Sequence, residues 1–260
     1  MQSASTVKRA AKAFFFVLIF GLPAASALAS GGPPMITDDP GTPGDGNWEI
    51  NIAAQTNRTV SSDNIDQLPL VDANYGYGDR IQLKFQMPFQ FEDDADGSHR
   101  NGLNDALVGV KWRFYDAGEN DWQISTYPQV QFGFPGSSPA HNNFAQPGTS
   151  YLLPLEFVRT FEGWDINFET GRWLRPAGQG DTWIGGFVLT KEVQKGFEVL
   201  AELHDEVAVQ GTQSELILNF GARYDLSERY TLLFAAGHDL HNTLGEKNTL
   251  MTYVGLQLHL

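Results

Sequence analysis

The sequence predicts an all-β protein, a transmembrane antiparallel β-barrel of about twelve strands. Three observations predict it. Apolar residues recur at every second position in segment after segment, the connections between segments alternate between short and long, and aromatic residues collect near both ends of the segments. Period-two alternation is typical of strands with one apolar face, and trimmed turns opposite longer loops are typical of outer-membrane barrels.

Residues 1–29 differ from the rest of the chain. Lys8, Arg9 and Lys12 precede an apolar run, Ala13–Leu22, and the small-residue stretch 27–29 follows it. This order of basic, apolar and small residues predicts a cleaved secretory signal peptide. The run is too short to span a bilayer, which takes about 20 apolar residues.

Residues 30–46 are rich in Gly and Pro and cannot hold a regular strand or helix. One interpretation is a periplasmic tail that has no role beyond tethering the chain. The other is a plug, in which Asp38 and Asp39 fold back into the barrel mouth and pair with a lumen cation. The candidate cations are Lys84, Lys111, Arg113 and Arg223.

The barrel itself is predicted over residues 47–260. In the first strand Trp48, Ile50 and Ile52 alternate with Glu49 and Asn51. The same alternation marks the later strands, near residues 70–77, 81–91, 106–114, 122–134, 151–157, 164–169, 183–190, 197–204, 216–224, 230–237 and 254–260. An even strand number is the rule for bacterial single-chain barrels and places both chain ends on the periplasmic side.

Connections are short at residues 76–79, 116–121, 161–163, 194–196 and 225–228, and longer at 93–102, 135–149, 176–181, 205–213 and 239–248. Aromatic residues follow the same division. Those near the short turns are Trp48, Trp112, Trp122, Trp164, Phe197, Tyr224 and Tyr230, and those near the long loops are Phe91, Phe134, Tyr151, Trp173 and Trp183. Two aromatic bands fit the two interfaces of a membrane.

Alternation alone leaves open whether the apolar face meets lipid or a dry core, because a soluble barrel or sandwich has the same period. The opposite face carries charge in many strands, which favours a water-filled lumen. The charged residues predicted to line that pore are Glu49, Asp72, Lys84, Lys111, Arg113, Glu169, Glu202, Glu215 and Arg223.

Composition excludes several partners and chemistries. The chain carries 17 Lys+Arg against 31 Asp+Glu, and a formal charge of −14 argues against nucleic-acid binding, which depends on basic side chains against phosphates. Cys is absent from the sequence, so disulfides and thiolate metal sites are excluded. No cofactor and no metal site are predicted.

Three motifs contain residue types that bind metals or catalyse hydrolysis. The acidic stretch 92–97 has Gly97 at the sixth position of a calcium loop but Leu103 at the twelfth, where a Glu is needed. The 238–241 stretch, His-Asp-Leu-His, lacks a third zinc ligand at a recognisable spacing. Barrel acyl hydrolases need a Ser and a His on the wall, for which Ser125, Ser214, His204 and His259 are the candidates.

Two patches resemble a known family. Thr37-Asp38-Asp39-Pro40-Gly41-Thr42-Pro43 with the following 46–50 stretch, Gly-Asn-Trp-Glu-Ile, is similar to the mature N-terminus of the outer-membrane transporter proteins named for the phenol-degradation meta pathway. The 220–227 stretch is similar to their penultimate hairpin. The resemblance implies an outer-membrane barrel tied to uptake of small, often aromatic, molecules. The final residue, Leu260, departs from the aromatic residue that commonly ends such barrels.

The sequence therefore predicts a channel or transporter for passive or selective passage of small molecules, with no chemical step. Outer-membrane lipid, a small-molecule solute and the barrel-assembly machinery are its expected partners. The alternatives are a barrel acyl hydrolase and a structural or adhesive barrel with a plugged lumen. Because acidic residues outnumber basic ones on the predicted lumen face, the pore is expected to favour cations or neutral solutes over anions.

Overall fold

A computed structural model describes residues 31–118, 121–133, 144 and 148–260. It contains fourteen strands: β1 (Trp48–Thr59), β2 (Asn64–Tyr77), β3 (Ile81–Asp93), β4 (His99–Leu103), β5 (Asp105–Asp116), β6 (Gln123–Thr126), β7 (Gln129–Gly133), β8 (Thr149–Phe161), β9 (Trp164–Leu174), β10 (Thr182–Gln194), β11 (Phe197–Ala208), β12 (Ser214–Ser227), β13 (Tyr230–Asn242) and β14 (Asn248–His259). No helix in these residues is long and apolar enough to cross a membrane. The predicted signal peptide lies outside the described residues.

The strands form one closed antiparallel sheet. β1 pairs with β14 from Glu49 opposite His259 to Thr59 opposite Asn248, which joins the two ends of the chain's sheet. β4 and β5 both pair with β3, and β6 and β7 both lie between β5 and β8. The two short strands in each case therefore count as one strand of the barrel wall. The wall therefore has 12 strands, which confirms the predicted fold class.

Two wall strands are interrupted, one of them within a segment that the sequence predicted as a continuous strand. The predicted strand at 122–134 is divided into β6 and β7 at Tyr127 and Pro128. Pro128 has no N–H to donate to the ladder, although the register with β8 is the same on both sides of the break. The second interruption, at Asn104, separates β4 from β5.

The long-loop end of the barrel differs from the expected one. Strands continue into most of the segments predicted as loops, so that β3 and β4 are joined by residues 94–98 only. Cross-strand pairs such as Glu92 with Arg100, 2.7 Å apart, extend this hairpin. The predicted loop at 135–149 falls largely outside the described residues.

Burial in this molecule is the reverse of that in a soluble protein. Apolar side chains such as Ile52, Phe168 and Phe220 stand on the outside and are 48%, 43% and 59% exposed, whereas Lys111 and Glu156 on the inner face are buried. An outer apolar surface around a polar interior is the arrangement of a membrane barrel. The lipid-facing interpretation of the apolar face therefore agrees with the structure better than the soluble-barrel alternative does.

The outer surface carries aromatic side chains near both rims. Trp48, Trp112 and Trp164 are exposed near the short turns, and Tyr151 and Trp183 near the long loops. Trp173, assigned from the sequence to the outer band, instead lines the lumen, because residues 167, 169, 171 and 173 of β9 share the inner face. Phe134 lies outside the described residues.

Candidate functional site

Residues 31–40, here called the inner segment, lie inside the barrel. Gly31, Met35, Thr37, Asp39 and Pro40 are buried. The segment folds into a compact turn in which Gly32 N–H donates to the Thr37 carbonyl at 2.8 Å and Met35 N–H to the Gly32 carbonyl at 2.9 Å. The structure thus places this part of the chain within the lumen and not as a tail outside it.

Residues 41–46 connect the inner segment to β1 along the short-turn rim. The Thr42 hydroxyl donates to the Asp79 carbonyl at 2.9 Å, and Gly46 N–H donates to the Gly76 carbonyl at 3.0 Å. The chain therefore leaves the lumen at the end of the barrel where β1 begins. By the orientation expected from the sequence, that end is periplasmic.

Carboxylates of the wall accept the inner segment's backbone N–H groups. Glu202 of β11 accepts from Ile36 and Thr37 at 3.0 and 2.7 Å, and Glu169 of β9 accepts from Asp38 at 3.1 Å. A segment with this much Pro and Gly does not pair as a strand, so its buried N–H groups need such side-chain acceptors. Bonds to a charged acceptor are stronger than neutral ones.

Lys111 of β5 is the cation that meets the inner segment's acids. Its Nζ donates to Asp38 Oδ1 at 2.7 Å and also to the Asp39 carbonyl. Glu156 Oε2 lies 3.8 Å from the same nitrogen, and the Tyr127 ring centroid lies 4.7 Å from it. The buried ammonium is thus surrounded by opposite charge and an aromatic face, both of which stabilise it.

Arg223 of β12 holds the beginning of the inner segment. Its guanidinium donates to the carbonyls of Gly31, Gly32 and Pro33, and it lies 3.4 Å from Glu198. The planar fork of an Arg suits several carbonyl acceptors at once. Together these contacts fasten the inner segment to β5, β9, β11 and β12.

Close packing on β10 adds to these polar contacts. A Cβ at Gly186 would overlap the Thr37 side chain, so only Gly leaves room for the segment there. The Thr37 hydroxyl also lies 3.2 Å from His204 Nδ1. Met35 packs with Val188 and Leu200 in a small apolar cluster.

The other residues predicted to line the pore have different partners. Asp72 and Lys84 form an ion pair at 3.2 Å. Arg113 donates to the Asp79 carbonyl at 2.6 Å and forms an ion pair with Asp116.

The remaining acids of this set lie away from the inner segment's cation. Glu215 accepts from Asn242 at 2.6 Å. Glu49 lies on the inner face of β1, partly buried. Of the four candidate cations for Asp38, Lys111 is the one the structure brings to it.

A cavity of about 380 Å³ lies between the inner segment and the wall, in the half of the barrel toward the long loops. Its lining mixes apolar residues such as Ile36, Leu70 and Met251 with charged ones such as Lys84 and Glu215. A second space of about 170 Å³ continues past Ile36 toward Trp173. The inner segment forms the floor of this vestibule.

The rim above the vestibule is held by ion pairs. Arg175 lies 2.7 Å from Glu206, and Arg172 lies 2.7 Å from Asp181. The Arg175 backbone N–H and the Arg172 guanidinium donate to Asp181, and these bonds lower the pKa of its carboxyl. The Arg172 pair therefore persists to more acidic pH than one with an ordinary Asp would.

The residues of these motifs have partners within the wall. Ser125 donates to Glu156 on the neighbouring strand, and the Ser214 backbone N–H donates to the Thr243 hydroxyl at 2.9 Å. Within the described residues, no hydrogen bond joins either Ser to a His. Asp239 of the His-Asp-Leu-His stretch accepts from Asn242 and Asn248.

In the acidic 92–97 stretch, Glu92 lies 2.7 Å from Arg100, and Asp94 accepts from the Ser98 hydroxyl at 2.5 Å. Across the part of the chain that the structure describes, no group of three or more His, Asp or Glu side chains is placed to hold a metal ion. The acidic loop is thus occupied by contacts within its own hairpin.

Sequence reasoning did not single out Tyr127 or Asn167, which complete the site. Tyr127 is fully buried against Lys111 and accepts from Gln82 at 3.0 Å, and Asn167 donates to the Asp38 carbonyl at 2.7 Å. Their inward parity was available from the sequence. Their contacts to the inner segment and its partner Lys111 were not, because those depend on how residues 31–40 fold.

No protein-family model and no curated protein matches the chain. Solved structures do. An outer-membrane channel from Pseudomonas putida F1 aligns with a TM-score of 0.68 at 13% identity, over 83% of this chain and 96% of that one. The chain folds as an outer-membrane β-barrel.

Two further structures share this fold. The NanC porin aligns with a TM-score of 0.57 at 9% identity, over 81% of this chain and 98% of its own. The translocator domain of the autotransporter NalP from Neisseria meningitidis aligns with a TM-score of 0.52 at 11% identity, over 83% and 88%. A channel, a porin and a translocator domain share the architecture, so function has to be argued from the lumen.

Proposed function

We propose that this barrel is an outer-membrane channel for small molecules and that the inner segment is a plug that narrows it. The apolar outer face with aromatic side chains near both rims supports a place in the membrane. The charged inner face and the vestibule of about 380 Å³ support passage of solutes through the lumen.

The observation that carries the proposal is how the inner segment is held. It is bound by side chains of the wall, chiefly Lys111, Glu202 and Arg223, and takes no part in the sheet's strand pairing. Moving it would break a few hydrogen bonds and ion pairs while leaving the barrel intact. Such a plug can narrow a channel without being part of its wall.

Conductance in planar bilayers and liposome swelling test this proposal. We compare the chain without its predicted signal peptide, a variant lacking residues 31–40, and Glu202→Gln, which weakens the acceptor for Ile36 and Thr37. We expect large, long-lived conductance from the deletion and more frequent openings from Glu202→Gln. Glu215→Gln is the matched control, since it removes the same charge from the lumen without a contact to the inner segment.

A deletion variant that is folded yet silent would favour the structural or adhesive barrel with a plugged lumen. Heat-modifiable gel migration reports whether each variant is folded. If Glu215→Gln opens as often as Glu202→Gln, the charge of the lumen, and not release of the inner segment, sets the conductance.

The finer parts of the proposal concern the solute and export. The resemblance of residues 37–50 to the phenol meta-pathway transporters suggests small aromatic solutes, and the mixed lining of the vestibule suits them. Swelling rates with an aromatic and an aliphatic solute of equal size and charge measure this preference.

We further propose that the signal peptide is cleaved after residue 29 and that the barrel-assembly machinery inserts the chain. The mass of the exported protein tests the cleavage. Depletion of the protein from the outer membrane after loss of that machinery tests the insertion.

We also propose that the barrel performs no chemical step. The Ser125 hydroxyl is fully buried and bonded to Glu156, and so lacks the His that would activate it. Lipid hydrolysis by the purified barrel that disappears in Ser125→Ala or Ser214→Ala would overturn this and establish the acyl hydrolase.

A further inference from the structure

The vestibule reaches past the inner segment to strands that, in the part of the chain that the structure describes, make no hydrogen bond to it. Gln55, Leu70, Met251 and Tyr253, from β1, β2 and β14, line it opposite Met35 of the segment. The hydrogen bonds to the segment come from β5, β9, β11 and β12 instead. Among the described residues, none is made to residues 31–40 from β1, β2 or β14.

An apolar collar closes the vestibule toward the short-turn end on this open side. It consists of Ala53, Leu70, Leu233 and Tyr253, with Ala235 packed against it. Leu233 is fully buried and Tyr253 is 9% exposed. The collar thus closes the vestibule on the side of β14 and β1, whereas Asp72 and Lys84 line it on the side of β2 and β3.

Tyr253 is the long side chain of the collar, and it bends toward the short-turn end over Gly255. A Cβ at Gly255 would lie 2.8 Å from Tyr253 Cε1 and 3.2 Å from the Ala53 Cβ. Gly255 pairs with Ala53 across β14 and β1. The ring therefore occupies the space left by a Gly and an Ala, and a different rotamer would vacate it.

Beneath the collar is Asn51, one step further along the inner face of β1. It pairs in register with Gln257 and Asp72, is fully buried, and has no hydrogen-bond partner for either polar atom of its side chain within the described residues. Leaving a buried amide without hydrogen-bond partners destabilises a fold. Such an amide is suited to bind water or the polar group of a solute that reaches it.

We propose that solutes pass between the inner segment and the wall formed by β13, β14, β1 and β2, and that Tyr253 is the gate of this route. The inference rests on the proposed channel function. Leu70 and Leu233 make the closed gate apolar, so it excludes ions by remaining dry, and Asn51, in register with Asp72, is a polar group directly below it. Neutral solutes with an apolar part therefore pass more readily than small ions when the segment is in place.

The absence of Cys from the sequence permits a direct test by single-cysteine labelling. Asn51→Cys is exposed to a cationic, membrane-impermeant methanethiosulfonate, and the labelling rate is followed by mass. We expect slow labelling of Asn51→Cys alone. Adding Tyr253→Ala should accelerate it about tenfold, which corresponds to a decrease of about 1.4 kcal/mol in the free energy of opening the collar.

Leu152→Ala in the Asn51→Cys background is the matched control. It also shortens a buried apolar side chain of the lumen, but one on β8 that lines the second space and belongs neither to the collar nor to the Met35 cluster. We expect its labelling rate to stay close to that of Asn51→Cys alone. Heat-modifiable migration shows that each protein is folded.

Equal rates in the Tyr253→Ala and Leu152→Ala backgrounds, or rapid labelling of Asn51→Cys alone, would overturn the gate. The variant lacking residues 31–40 separates this result from failure of the channel itself. If that variant conducts and Tyr253→Ala has no effect, only the route is wrong. If it is folded and does not conduct, the channel function is wrong as well.

Discussion

Lys111 is the residue on which the charge balance of the inner segment depends. It contacts Asp38, the Asp39 carbonyl and Glu156, and it is 2% exposed. Removing one partner of a buried pair costs more than the pair itself contributes, because the remaining charges stay buried. The Lys111 side chain therefore couples the stability of the barrel to the position of the segment.

We predict that Lys111→Met lowers the free energy of unfolding by about 3–5 kcal/mol, since it leaves Asp38 and Glu156 buried without their cation. Urea unfolding in phospholipid vesicles, followed by Trp fluorescence, measures this change. Lys195→Met, in an exposed turn, should change it by no more than about 0.5 kcal/mol. Equal effects of the two substitutions would mean that the buried pair contributes nothing particular.

The sequence predicted which cations could pair with Asp38 but not which of them does. Parity placed Lys84, Lys111, Arg113 and Arg223 on one face, and each was an equal candidate partner for Asp38. The structure pairs Asp38 with Lys111 at 2.7 Å, while Lys84 contacts Asp72. The choice depends on the height at which residues 31–40 turn inside the barrel, and periodicity holds no information about that height.

At the scale of single strands, the alternation in β9 illustrates how the wall separates two environments. Asn167 and Glu169 point inward and are buried, whereas Phe168 between them is 43% exposed on the outer face and packs near Phe187, with ring centroids 4.9 Å apart. A strand with this pattern is stable where lipid covers one side and polar groups the other.

We predict that Phe168→Arg lowers the free energy of unfolding in lipid vesicles by about 2–4 kcal/mol, because it places a charge at mid-depth in hydrocarbon. Tyr77→Arg, at the end of β2 beside the short turn, is the control and should cost about 0–1 kcal/mol. Denaturant titrations of the two variants in the same vesicles give both values. A Phe168→Arg protein as stable as Tyr77→Arg would contradict the lipid-facing assignment.

Strand existence and facing were predictable, but strand ends and breaks were less so. The break at Pro128 is explained by its missing N–H, and the sequence could have shown it. The continuation of β11 to Ala208 and β13 to Asn242 could not be read from hydrophobic alternation, since Asp205 and His238 interrupt the apolar face before these ends. Pairing with the neighbouring strand, and not burial, extends them.

On the scale of the whole molecule, the lumen carries more acidic than basic side chains. Each of the four inward-facing cations Lys84, Lys111, Arg113 and Arg223 lies within 4.0 Å of an acid. Further acids on the inner face are Glu49, Asp105, Asp165, Glu169, Glu202 and Glu215. The field in the lumen is therefore expected to be negative.

We predict cation preference in the variant lacking residues 31–40, whose lumen is widest. Reversal potentials in a salt gradient measure it. The preference should shrink at high salt, since the Debye length falls from about 10 Å at 0.1 M to about 3 Å at 1 M. An anion preference at low salt would mean that the paired acids are neutralised and that the basic side chains determine selectivity.

The sequence by itself determined the barrel, its approximate strand number and the facing of most side chains, with Trp173 as an exception, because a two-residue period is a local property of the backbone. It also identified residues 30–46 as a segment that could not join the sheet. Only the tertiary structure decided that residues 31–40 fold inside the lumen, that Lys111 and Glu202 hold them, and that the cavity remains beside β14, β1 and β2. These features arise where a non-repeating segment meets side chains such as Lys111 and Glu202, 73 and 165 residues further along the chain, or strands that only barrel closure brings together. No local pattern encodes such contacts.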